Sequence, residues 1–472
     1  ASAGASSADV ELTPDGSTAK VMDLTATPAS IVANGTATSN LVATVEDANG
    51  NPVANAPVTW STNIGTLSAA SSSTDANGKA SVTLKGTVAG TAAVKAQASA
   101  GASSVNVALT PDGSTAKVVD LTATPATIVA NGAASSTLVA TVKDANGNTL
   151  GAGVAVTWST SLGSLSAASS TTNASGQASV TLKGTVAGSA TVTASAVAGS
   201  ATAAVILTSD GSTAKVVDLT ATPTTIVANG TATSTLVATV EDANGNPVAN
   251  TPVTWSTSTG TLSAVSSSTD ANGKASVTLK GTAAGTATVK AQASAGASSV
   301  NVALTPDVST AKVVDLTATP ATIVANGTAT SSLVATVEDA NGNPVANAPV
   351  TWSTSIGTLS AASSSTDANG KASAVLTSST IAGTATVTAN SLAGSATAAV
   401  AMTPNSATAD VTSLVATPTS IVANGTATST LVATVKDANG NTLGAGVAVT
   451  WSTSLGSLSA ASSTTNASGQ AT

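Results

Sequence analysis

Asp47, Asn49 and Asn51 stand at alternate positions of the segment Asp47-Ala48-Asn49-Gly50-Asn51 in a chain of 472 residues. Oxygen-bearing side chains at that spacing open a calcium loop, but the acidic residue that closes such a loop at its twelfth position is missing. An Asx-stabilised turn uses the same letters without an ion. A second set of acids flanks a recurring linker: Asp112 with Asp120, Asp210 with Asp218, and Asp307 with Asp315. These pairs are candidates for calcium held between domains, although Lys117 stands close enough to neutralise the first pair instead, leaving solvated linker acids. No other cofactor is suggested.

Catalysis has little to work with. The chain has no His and no Cys, which excludes the usual nucleophilic triads. Glu46 and Asp47 are adjacent carboxylates, but neighbours at a strand end point to opposite faces, and paired acid–base work needs both on one face. The expectation is that this is not an enzyme. Asn34-Gly35-Thr36 matches a glycosylation sequon; the abundant Ser and Thr equally suit the polar outer face of a sheet, where Thr has high strand propensity.

Composition narrows the partners. All 14 basic residues are Lys, and 22 acids leave a net charge of −8. Binding to a phosphate backbone draws on clustered Lys and Arg with stacking aromatics, so neither nucleic acid nor an anionic membrane surface is an expected partner. Without cysteine the usual redox argument about compartment is silent. No run approaches the ~18 apolar residues that span a bilayer as a helix. The start, Ala1-Ser2-Ala3-Gly4, has neither Met nor a basic-then-apolar signal, and reads as an interior piece of a longer exported precursor.

The elements that must carry these residues are repeated. Five tryptophans, Trp60, Trp158, Trp255, Trp352 and Trp451, are spaced by 98, 97, 97 and 99 residues, and the phrase around each is nearly the same. That period exceeds the ~20–50 residues of common solenoids and matches a self-sufficient sandwich domain of ~100 residues. Alignment divides the chain into the last strand and linker of a preceding repeat at 1–20, whole repeats at 21–117, 118–215, 216–312 and 313–410, and an incomplete repeat at 411–472. Copies differ in length where Asn-Pro-Val-Ala-Asn-Ala-Pro becomes Asn-Thr-Leu-Gly-Ala-Gly-Val-Ala, and again at Ser373 to Gly383. Insertions confined to turns are what a folded domain tolerates.

Within a repeat the hydrophobic period is two, which argues for half-buried strands. Leu41, Ala43 and Val45 share one face; so do Val58 with Trp60, Ala80 with Val82 and Leu84, Ala92 with Val94 and Ala96, and Val105 with Val107 and Leu109. Asn34-Gly35, Asn49-Gly50 and Asn77-Gly78 supply tight turns, and Pro28, Pro52 and Pro57 punctuate edges. Seven or more such strands predict an all-β antiparallel sandwich. Each indole should lie between the sheets as a structural core residue, removing about 200 Å² from water.

The segment Val42 to Trp60, followed by Gly65-Thr66-Leu67-Ser68 and then Thr74 to Leu84, resembles the group 1 bacterial immunoglobulin-like domains of invasin, intimin and related large surface adhesins. The resemblance covers nearly the whole chain. It implies disulfide-free immunoglobulin-like β-sandwiches strung into an elongated rod, exported to the bacterial cell surface, that holds an adhesive tip away from the cell. The expected partners are then neighbouring repeats of the same chain. Short patterned linkers, in which Val118 and Val119 start the next domain directly, favour a semi-rigid connection. The function so implied is a stalk. The alternative is a repeat subunit of a secreted fibre or biofilm matrix polymer, in which copies of the chain associate. A lectin-like module would need exposed aromatic platforms, and the single indole of each repeat is committed to the core.

Overall fold

Alternating small apolar and hydroxyl side chains make each repeat a stack of short strands in the computed structural model of the chain, which describes residues 4–472. The first repeat shows the plan. Strand β1 spans Lys20–Thr27, β2 Ser30–Val32, β3 Ser39–Glu46, β4 Pro57–Thr62 and β5 Thr66–Leu67. It continues with β6 at Ser71–Ser73, β7 at Lys79–Lys85, β8 at Gly90–Gln97 and β9 at Ala102–Thr110. A single 3-10 turn, Gly16–Thr18, precedes β1, and no α-helix occurs among the described residues.

Two sheets face each other, one in the order β1-β3-β7-β5 and the other β2-β9-β8-β4-β6. Pairing is antiparallel as expected, apart from an isolated parallel bridge between Lys20 and Gly101 and one parallel ladder that alternation alone does not foresee. After the cis Thr27–Pro28 peptide the chain leaves the first sheet, and β2 joins β9 in parallel, with Ser30 opposite Ala108, Ile31 opposite Leu109 and Val32 opposite Thr110. Entry and exit strands of a repeat therefore lie side by side.

Inward-facing positions follow the expected alternation. Leu41, Ala43, Val45, Val58, Leu84, Ala92, Val94 and Ala96 are fully or almost fully buried. Trp60 joins them at 5% exposure. Its Nε1 donates to Ser72 Oγ at 3.0 Å, and the same bond recurs from Trp158 to Ser170, Trp255 to Ser267 and Trp352 to Ser364. A buried indole thus keeps its one polar group satisfied.

Val118 and Val119 do begin the next repeat directly, within its first strand, Lys117–Thr124, and the register between this entry strand and its partner slips between Val118 and Asp120. The bulge turns Val119 out to 43% exposure while Val118 stays buried. Residues 4–14 form no strand and are exposed, whereas the strand they correspond to, β9, is held by β8 and β2. Trp451 is only half-buried against a small cluster of Ala433, Val435, Leu443, Val449 and Ala471. Residues 411–472 include no counterparts of β8, which pairs beside the tryptophan strand in the whole repeats, or of β9. For the same reason Ile421 and Val422, at the place of β2, make no strand and are 50% and 71% exposed, whereas Ile31 is 5% exposed.

The described chain divides into two compact units, one of Ala1–Ala214 with Glu241–Ala249 and the other of Lys215–Val240 with Asn250–Thr472. Both contain junctions between successive repeats.

Candidate functional site: the junction loop

The Asp-Ala-Asn-Gly-Asn loop follows β3 or its counterpart in each repeat. In the first unit Asp144 lies at the centre of the loop of the second repeat and is fully buried. Its Oδ1 accepts from the backbone amides of Asn146 at 3.0 Å and Asn148 at 2.8 Å, and its Oδ2 from Asn148 Nδ2 at 2.8 Å. Gly147 takes φ of +86°, which closes the turn. The linker ahead of the repeat is tied to the same carboxylate, since Asp112 N donates to Asp144 Oδ2 at 3.1 Å and Ala145 N donates to Thr115 Oγ1 at 3.1 Å.

The two asparagines then reach the preceding repeat. Asn146 Nδ2 donates to Ala33 O at 3.0 Å, and Asn148 Nδ2 donates to Thr87 O at 2.9 Å while its Oδ1 accepts from Ala89 N at 2.8 Å. Ala33 directly follows β2, and residues 87–89 lie between β7 and β8. The loop is therefore an Asx turn, as the letters allow, whose amide side chains also grip the neighbour.

This grip recurs. In the first unit Asn244 bonds Ala130 O at 3.0 Å, and Asn246 bonds Thr185 O and Ala187 N, both at 2.8 Å. In the second unit Asn341 bonds Ala228 O at 2.9 Å, and Asn343 bonds Thr282 O at 2.8 Å and Ala284 N at 2.7 Å. Asn439 and Asn441 repeat it on Ala325, Thr380 and Ala382. The extra residue of Ser373 to Gly383 leaves both gripped groups in place. Val308, where other linkers have Gly113, is accommodated because a Cβ at Gly113 meets nothing within 4 Å.

A second loop provides the contrast. Asp75-Ala76-Asn77-Gly78-Lys79 begins with the same four residues, and Asp75 Oδ1 accepts from Asn77 N and Lys79 N, both at 2.9 Å. With Lys in place of the last Asn the loop is exposed and grips nothing among the described contacts. Sequence reasoning weighed the first loop for calcium and missed its use as a connector. The available signal was the fifth letter, Asn at each junction loop but Lys or Gln in the second loop.

The carboxylates at the junction are held in their charged form. Burial pushes the Asp144 carboxyl up, but the amides of Asn148, Asp112 and Asn146 together draw it below its ordinary 3.8. In the first repeat the Asn51 side chain leads the same set of donors on Asp47 and lowers it to about 2.

The calcium candidates are not brought into clusters. Asp112, Asp210 and Asp307 each cap the 3-10 turn of their own linker, with Oδ1 accepting from Ser114, Ser212 and Ser309. Asp120, Asp218 and Asp315 sit on exposed strand positions beyond the bulge. Among the described residues no group of three acidic side chains is placed to hold a metal.

The profile of the bacterial Ig-like domain (group 1) family matches residues 21–110, 118–209, 216–305, 313–405 and 411–472. The chain belongs to this family. It is 35% identical over 386 residues to the inverse autotransporter adhesin YeeJ of Escherichia coli strain K12, covering 79% of this chain and 16% of YeeJ. It is 38% identical over 148 residues to intimin of Escherichia coli O127:H6, covering 30% of this chain and 15% of intimin. The chain thus spans about a sixth of the length of these relatives. Of solved structures, the D0-D1 domain of intimin is 37% identical, covers 40% of this chain and 98% of that one, and gives a TM-score of 0.20. Invasin, described as a bacterial integrin-binding protein, is 23% identical, covers 84% and 82%, and gives 0.40. The chain is thus a tandem array of group 1 Ig-like domains, similar in sequence to segments of these adhesins.

Proposed function

We propose that this chain is a spacer segment of a bacterial cell-surface adhesin and holds a binding region, carried elsewhere in the protein, away from the cell. The observation that carries the proposal is the junction grip, in which the same two asparagines join successive repeats by hydrogen bonds to the same three backbone groups. A connector that is copied with the domain lets length grow with copy number and adds no chemistry. Relatives named as adhesins support the surface setting.

Small-angle scattering from the purified chain tests the reading. With strands of ~7 residues and their loops giving roughly 35–45 Å per repeat, the maximum dimension should be on the order of 200 Å. The chain alone should also show no saturable binding to host cells. A compact particle, or a repeat that binds cells by itself, would overturn the spacer role.

The spacer reading calls on no metal, and the junction carboxylates bond to backbone and amide donors. Removing divalent ions with a chelator is expected to leave the melting temperature unchanged. A fall of several degrees would reveal a structural ion.

A further inference from the structure

The junction is asymmetric in what each side needs. The gripping loop is braced by its own repeat and linker: Asp144 accepts from Asn146 N, Asn148 N, Asn148 Nδ2 and Asp112 N. The gripped side is different. Ala33 O, Thr87 O and Ala89 N find their partners in the loop that follows them in the chain.

Ala33 is also the end of the parallel ladder. Its amide donates to Thr110 O at 2.8 Å, and at the other end Ala108 N donates to Ala29 O at 2.9 Å. The chain enters a repeat through β1 and β2 and leaves it through β9, so tension on the chain pulls these parallel strands in opposite senses and loads their hydrogen bonds in shear. The Asn146 amide thus closes over the carbonyl of the residue whose amide terminates this ladder.

We infer that each repeat's entry–exit ladder is locked by the repeat that follows it, so that resistance to opening passes along the chain in one direction, from each repeat to its N-terminal neighbour. The coupling is a property of the junction and stands apart from the spacer reading, because it holds for the chain whatever the chain displays.

Hydrogen exchange on the full chain, read by peptide mass, tests it with Asn146→Ala/Asn148→Ala. The loss of about one to two net hydrogen bonds' worth of capping should speed exchange at Ala33 and Ala108 on the order of tenfold. The matching amides of the second repeat, Ala130 and Ile206, which bond Thr208 O and Ala126 O, should not change, because their own cap at Asn244 and Asn246 is intact. Unchanged exchange at Ala33 and Ala108 would overturn the inference, and so would equal acceleration in both repeats. Should the double variant loosen its own loop, Asn148→Lys provides the second test. It recreates the ending of the loop at 75–79, which closes with Lys. Faster exchange confined to the same first-repeat peptides supports the lock, and no change there, or an equal change in both repeats, overturns it.

Discussion

Replacing Trp158 with alanine is expected to destabilise the second repeat by about 3–5 kcal/mol, the cost of truncating a large aromatic side chain in a packed core. The indole is 6% exposed and packs among Val156, Val180, Leu182, Val192 and Ala194 in the core cluster of this repeat. No other side chain of the cluster approaches its volume, so neighbours cannot collapse into the space. For a domain of ~100 residues the loss should move its melting transition down by at least about 10 °C. Calorimetry should resolve a new early transition, with the remaining repeats melting near their original temperature. Trp158→Phe should cost less, because it refills most of the volume but leaves Ser170 without the indole donor. Trp451 supplies the comparison within the same chain. It is half-buried, and Trp451→Ala should shift its segment far less. Equal effects at 158 and 451 would show that burial between the sheets is not what the indole contributes.

Asp144→Ala is expected to produce the second large effect. The carboxylate is fully buried and accepts four bonds, from Asp112 N, Asn146 N, Asn148 N and Asn148 Nδ2. Removing it takes away the buried acceptor of four part-buried bonds, at a cost of about 2–3 kcal/mol. It also frees the Asn148 amide that grips Thr87 and Ala89, so the first repeat should lose protection as well as the second. Asp75→Ala, in the exposed loop with the same first four residues, should have a much smaller effect. Urea unfolding of the two variants separates the cases, and similar midpoints would refute a special role for the junction carboxylate.

Acid should act on the same group. A carboxyl whose folded pKa lies below its ordinary 3.8 stabilises the protein at every pH above that value, and the contribution is lost as pH falls through the folded pKa. For Asp47 that point is about 2. The melting temperature should therefore fall as pH drops from about 5 toward 2. In Asp144→Ala the share of that fall due to the second repeat should be absent.

Much of the fold is legible in the letters. The repeat length, the sheet faces and the buried tryptophans follow from spacing and from an alternation of two, because each depends on residues near one another in the chain. Leu41, Ala43 and Val45 point inward for the simple reason that successive strand residues face opposite ways. Tertiary placement decided the rest. Val119 turns outward at a bulge that its neighbour Val118 does not share. Ile31 is a strand residue because β9, nearly eighty residues later, lies beside it, while its counterpart Ile421 has no such partner. Asn146 and Asn148 become connectors only because folding sets them against Ala33, 113 residues away, and Thr87, 61 residues away. Local pattern specifies which face of a strand is apolar; it carries no information about which distant backbone group an exposed amide will meet, and that meeting is what turns an ordinary turn into a junction.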